Sequence, residues 1–209
     1  MSGYLKTDMS KLSFAEAWRM GGWGYVLVLA GWKLRREPRY AKVLLPAASA
    51  LVRVEPDEIA ERPRAALAPV LEELQRAGFE TAFWYRVEMQ GPVQGAAAAA
   101  INRAGDILGT VTYVEYEVRN RTALSLVSVP EPGVFLTTGN GAASFTPPPS
   151  VQSVSRHRAS AGEILGLHSR RLRRLRRPPV RIPDAEQMIL ELQTVFREDK
   201  IRRGLYVPA

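Results

Sequence analysis

The stretch ILGTVTYVEYEVRNRTALSLVSVPEPGVFLTT, residues 107–138, decides the fold class. β-Branched and aromatic side chains dominate three runs within it, Ile107–Val118, Ala123–Val129 and Val134–Thr138. Asn120-Arg121 divides the first two, and Pro130-Glu131-Pro132-Gly133 divides the second from the third. Residues of these types fit pleated, half-buried surfaces, and short runs joined by tight turns read as consecutive antiparallel strands. Upstream, the turn-rich link Asn102-Arg103-Ala104-Gly105-Asp106 follows Gly95–Ile101, and Thr81–Glu88 is again rich in aromatic and β-branched residues. The five alanines 96–100 would suit a helix by propensity, but their neighbours assign them to a strand. The expectation is an antiparallel meander of about five strands.

Helices flank these strands. Pro69 suits the first turn of a helix with apolar positions Val70, Leu71 and Leu74, and Gly78 suits its left-handed stop. Downstream, Pro147-Pro148-Pro149 favours an extended link. Ser160-Ala161-Gly162-Glu163 then has capping-box spacing, opening a helix that Pro178-Pro179 ends near Arg177. A last helix fits Asp184–Arg203, with Met188, Ile189, Leu192, Val195 and Phe196 on one face and Gly204 as its stop. One helix before the strands and two after them define an α+β fold. The chain divides into an apolar, aromatic and basic segment (1–50), an α+β core (51–150) and a basic helical region packed on it (151–209).

With 209 residues, 46% hydrophobic and 24% charged, the chain can build one sizeable core. It contains no cysteine, which excludes disulfides, thiolate metal sites and cysteine nucleophiles and fits a reducing compartment. His157 and His168 are its two histidines, so a three-histidine metal centre is excluded. No cofactor motif is found. Thr137-Thr138-Gly139-Asn140-Gly141 lacks the lysine-serine end of a phosphate loop and reads as a turn.

Positive charge is unevenly placed. Of the net +8, residues 151–181 carry nine arginines against Glu163; residues 1–50 carry +5 and residues 51–150 carry −4. Such polarity bears on partners rather than on fold. In the helix 160–177, Leu165, His168, Leu172 and Leu175 form a narrow apolar stripe among arginines, of which Arg170, Arg173, Arg174 and Arg177 point outward as candidate partner-binding groups.

Near the N-terminus, Gly21–Trp32 is apolar for about 12 residues, short of the roughly 20 needed to span a bilayer. It also lacks the pattern of a cleaved signal peptide. Trp18, Trp23, Tyr25 and Trp32, with Lys33, Arg35 and Arg36, have the composition of an interfacial anchor, with aromatic rings at headgroup depth and cations against phosphates. The same run also reads as a buried strand or helix. Glu115 and Glu117 share one strand face, as paired carboxylates or as a solvated surface.

The expected function is that of a non-enzymatic accessory protein. It would be cytoplasmic, peripheral on a membrane, and docked on an anionic membrane face or an acidic protein partner there. Two alternatives stand beside it: a small enzyme or ligand-binding domain using the sheet face with Glu115 or His168, and nucleic-acid binding through the arginine helix. The arginines lack the interleaved aromatics that base stacking uses.

Overall fold

A computed structural model describes residues 3–46, 51–86, 94–116, 119–141, 145–175 and 178–209. Ten strands form among them. β1 (Tyr4–Asp8), β2 (Tyr40–Pro46) and β10 (Tyr206–Pro208) make a small sheet in the order β10-β1-β2. β3 (Val52–Val54), β4 (Phe79–Arg86), β5 (Gln94–Asn102), β6 (Leu108–Tyr116), β7 (Arg119–Glu131), β8 (Val134–Gly139) and β9 (Val151–Ser155) make a seven-stranded sheet in sequence order. Four α-helices accompany them: α1 (Phe14–Arg35), α2 (Glu61–Arg76), α3 (Ala161–Leu172) and α4 (Ala185–Arg202).

The fold is α+β, but the five-stranded meander with three helices is corrected in four respects. The expected strands are β4 to β8, all antiparallel, and the large sheet gains an edge strand at each side. β3 is three residues long, too short for alternation to register. β9 reads VQSVS, with little apolar content, and pairs parallel to β8, which makes the sheet mixed. The remaining differences are α1, a second helix before the five expected strands, where aliphatic and aromatic residues mask any period, and the separate sheet β10-β1-β2, whose strands lie at opposite ends of the chain.

The alanine run is a strand because both of its faces are covered. Ala96, Ala98 and Ala100 join Val111, Leu124 and Leu126 in a core with Leu67, Leu71 and Leu74 of α2 and Ile164 of α3. Ala97 and Ala99 face the other way, toward Ile189 of α4. The alternation of strand side chains thus puts α2 and α3 on one face and α4 on the other, where it also covers Val127, Val129, Phe135 and Val151. α2 begins at Glu61 and continues through Pro69, so Pro69 is interior rather than in the first turn. Burial of three leucines offsets the ~3 kcal/mol such a proline costs. Gly78 and Gly204 adopt positive φ after α2 and α4, as expected of helix stops. α3 ends at Leu172, short of Pro178, with Arg173 as its C-cap.

α1 is a hairpin. Gly21 and Gly22 leave helical geometry inside it, and Lys33 Nζ lies 5.8 Å from the Phe14 ring. A straight helix would hold those residues about 28 Å apart. The arms therefore fold back on each other, and they pack Ala17 and Leu29 with Leu12 and Leu205 into a separate core beneath the small sheet. Gly22 has φ 64° and ψ −153°, a region open essentially to glycine alone. An added Cβ there meets nothing, so the cost of Gly22→Ala is purely conformational. It is expected to lower stability by about 1–3 kcal/mol, read by urea denaturation. A variant as stable as wild type would show that the turn relaxes freely.

Candidate functional site

Three features have the chemistry of a site, and each is built by a different part of the fold. The first is the outward side of the α1 hairpin. Trp18 and Trp23 meet edge to face across the break, with ring centroids 5.1 Å apart. Trp23 and Leu27 are each 69% exposed and Leu34 is 84% exposed, while Phe14 and Trp18 are each at 50%. Trp23, Leu27 and Leu34 lie on one side of the longer arm at helical spacing. Tyr25 and Trp32 turn inward, pack edge to face on each other at 6.1 Å and join the core beneath. Burial raises the Tyr25 hydroxyl pKa. Lys33, Arg35 and Arg36 are exposed at the end of the longer arm, with Arg36 left-handed as its C-cap. The structure thus separates the aromatic residues into an exposed pair and a packed pair. It adds Phe14, Leu27 and Leu34, which the sequence analysis did not single out.

The hairpin is fastened by a buried carboxylate. Glu16 is fully buried and takes both oxygens to Arg203 Nη2, at 2.5 and 2.6 Å. It also accepts the backbone amides of Ser13 and Thr146, each at 2.8 Å. Burial alone would raise its pKa, but the Arg203 and amide hydrogen bonds prevail and lower it to about 2. Ser13 caps the Glu16 amide in return. The Ser13-Phe14-Ala15-Glu16 spacing is a capping-box signal from which the sequence could have given the start of α1.

The second feature is the arginine-rich α3. Arg170, Arg173 and Arg174 are exposed, and among the described residues none of them makes an ion pair. Arg177 lies outside the described residues. Arg171 differs: it donates from Nη1 to Thr138 Oγ1 at 2.7 Å and to the Thr137 carbonyl, and from Nη2 to the Gln152 carbonyl at 2.6 Å. It thereby clamps β8 to β9, the parallel pair. His168 is fully buried between Thr138 Oγ1 at 2.9 Å and Ser128 Oγ at 3.1 Å. Ser128 donates to the Asp106 carbonyl at 2.7 Å, so it accepts from Nε2. Thr138 accepts from Arg171 and donates to Nδ1. Every donor in this chain is used, and the imidazole is held neutral, its pKa lowered to about 4 by burial first and by Arg171 second. It is not presented to a ligand. Glu115 pairs with Arg62 of α2, and Glu117 lies outside the described residues. The second histidine, His157, is exposed, with Nδ1 3.2 Å from Arg121 Nη2.

The third feature is a cleft of about 270 Å³ on the α4 face of the large sheet, beside the C-terminal half of that helix. Its floor is made of hydroxyls at alternate strand positions: Thr110 and Thr112 on β6, Ser125 on β7, Thr137 on β8, Ser153 and Ser155 on β9. Strand register aligns Thr110, Ser125, Gly139 and Ser155 in one row. Phe145, Phe196 and Lys200 stand at its wall. Lys200 Nζ is 4.2 Å from the Phe145 ring centroid and donates to Tyr206 Oη at 3.0 Å. Burial, and secondarily Arg203, lower its pKa to about 8.

Among the described residues, no helix is long and apolar enough to cross a membrane, and no group of three or more histidine, aspartate or glutamate side chains could hold a metal ion. In comparisons with known proteins, no family, curated protein or solved structure matches this chain.

Proposed function

We propose that the protein is a non-enzymatic accessory factor that docks on an anionic membrane face through the α1 hairpin. The observation that carries this is the ridge Phe14, Trp18, Trp23, Leu27 and Leu34, half to four-fifths exposed on a hairpin too short to span. Burying one such side chain at an interface contributes about 1.5–3 kcal/mol. Indole rings favour headgroup depth, and Lys33, Arg35 and Arg36 at the end of the hairpin would add about 1 kcal/mol each against anionic lipid. The positive N-terminal charge favours a lipid surface over a neutral apolar partner. Arg170, Arg173, Arg174 and Arg177 belong to the same reading as a second group able to face polyanions.

The test is co-sedimentation with phosphatidylcholine vesicles with and without phosphatidylserine. The wild-type chain should bind the anionic vesicles at low salt, and the double change Trp18→Ala and Trp23→Ala should weaken binding at least tenfold with the melting temperature kept. Changing Lys33, Arg35 and Arg36 to glutamine should remove most of the salt dependence. Glutamine at Arg170, Arg173, Arg174 and Arg177 should leave stability within about 0.5 kcal/mol and weaken binding further. Absence of vesicle binding, or binding indifferent to the two tryptophans, overturns the proposal. If one acidic protein is captured through the same residues while vesicles are not bound, a protein partner takes the place of the bilayer.

A further inference from the structure

The hydroxyl-floored cleft is independent of the docking ridge and has the features of a ligand site. We infer that it binds a sugar acid, a monosaccharide-sized polyol bearing one carboxylate, with Lys200 on the carboxylate and the serine and threonine floor on the hydroxyls. Four observations carry this. The cleft, at about 270 Å³, lies near the lower bound of about 300 Å³ for small-molecule pockets, so its ligand is small. Lys200 is the one charged side chain lining it among the described residues, and no carboxylate there pairs with it. A half-buried ammonium over an aromatic ring, with Glu16 and Asp199 near enough to act on it but neither in salt-bridge contact, can take an anion from the cleft side.

The floor supplies the third observation. Ser125, Thr137 and Ser153 hydroxyls have no hydrogen-bond partner among the described residues, while Ser155 bonds the Gly141 carbonyl and Thr110 reaches the Ser125 carbonyl at 3.4 Å. Thr137 and Ser153 are register partners on β8 and β9, about 5 Å apart, while Ser125 faces Gly139 and stands farther along the floor, so the three can reach hydroxyls at separate positions of one polyol. The fourth is the wall. Phe145 and Phe196 are apolar faces of the kind that cover the C–H side of a sugar. Gly139 keeps the floor low at its centre, since a Cβ there would come within 2.9 Å of the Leu124 carbonyl oxygen.

Affinity should depend on pH through Lys200. The groups facing it are Arg203 and Asp199 on its own helix, Glu16 on α1 and Tyr206 on β10. Glu16 is held far below neutrality, Arg203 is raised, and Tyr206 is pushed up to about 12 by burial, so none of these three titrates near pH 8. Carboxylate affinity therefore falls as pH rises through about 8.

The experiment is titration of the full chain with glucuronate, gluconate and glucose, followed by amide chemical shifts. The expected result is saturable binding of at least one of the two acids at pH 7, shifts concentrated at Thr110, Ser125 and Ser153, and glucose at least tenfold weaker. Lys200→Met keeps the aliphatic stem and should reduce the acids to the glucose level, and the pair Ser125→Ala and Ser153→Ala should weaken all three sugars several-fold. The inference is overturned if neither acid shifts those amides, if glucose binds as well as the acids, or if Lys200→Met binds like wild type. Vesicle binding through α1 should be unchanged in Lys200→Met, which separates failure here from failure of the docking proposal.

Discussion

Glu16→Ala should destabilise the protein by about 3–5 kcal/mol, the cost of removing one partner of a buried ion pair. The mechanism lies in what the carboxylate leaves behind. Arg203 would keep its charge with Asp199 Oδ2, 3.5 Å from Nη1, as its remaining partner. The Ser13 and Thr146 amides would lose their acceptor as well. Because these contacts join α1, the segment before Pro147 and the end of α4, the loss should loosen the hairpin before the large sheet. Hydrogen exchange would show it as early opening around Leu12, Ala17 and Leu205, with β5 to β7 still protected. The same group gives a pH signature. Its pKa is lowered from 4.5 to about 2 in the folded chain, so the unfolded carboxylate binds a proton first as pH falls. The stabilisation is complete above 4.5 and is lost progressively toward pH 2, about 3 kcal/mol in all at ~1.4 kcal/mol per pKa unit. Glu16→Gln should flatten that window. If Glu16→Ala unfolds at the wild-type urea midpoint, the pair does not hold the hairpin.

Much of the large sheet was legible, because strand alternation is local. The runs around Val111, Leu124 and Phe135 carry it directly, and the turns between them are written in Asn, Gly and Pro. What failed was weak or long-range. β9 has too few apolar residues to announce a strand, and its parallel pairing with β8 depends on contacts that no local pattern encodes. α1 was hidden because apolar residues occupy most of its circumference and the Gly21-Gly22 break resets its phase, so Trp23 and Tyr25 could not be told apart as outward and inward. On α3 the expected stripe included His168, which is buried, but the fully buried aliphatic on that face is Ile164, one position before Leu165. The Glu16–Arg203 pair spans 187 residues of sequence, and the cleft draws on four strands and α4, so neither leaves a local motif. Yet the hydroxyls at alternate positions, Thr110 and Thr112 and then Ser153 and Ser155, were a readable sign that one strand face is not core.

His168 should govern the acid limb above the range of Glu16. The unfolded imidazole takes up its proton near 6.5, while the buried one resists until about 4. Between those values the unfolded state alone gains a proton, so stability is intact above 6.5 and declines toward pH 4, by about 3 kcal/mol. Protonation of the folded ring would require Nδ1, which now accepts from Thr138 Oγ1, to become a donor, and Thr138 would then face two donors, Arg171 and the imidazolium. The Thr138 hydroxyl would have to turn its own proton away and lose its acceptor, while the other half of the chain, from Nε2–H through Ser128 to the Asp106 carbonyl, would stay as it is. That incompatibility, added to burial, is why the neutral form prevails. His168→Ala should cost about 3–5 kcal/mol at pH 7, combining a cavity with the unsatisfied Ser128 and Thr138 hydroxyls. His168→Gln retains a donor and an acceptor and should cost less while abolishing the slope between pH 6.5 and 4. Urea denaturation at half-unit pH steps separates the two groups: a slope that persists in His168→Gln but vanishes in Glu16→Gln would assign the upper window to the wrong residue, and a wild-type profile flat from pH 6.5 to 4 would mean that His168 carries its proton in the folded chain.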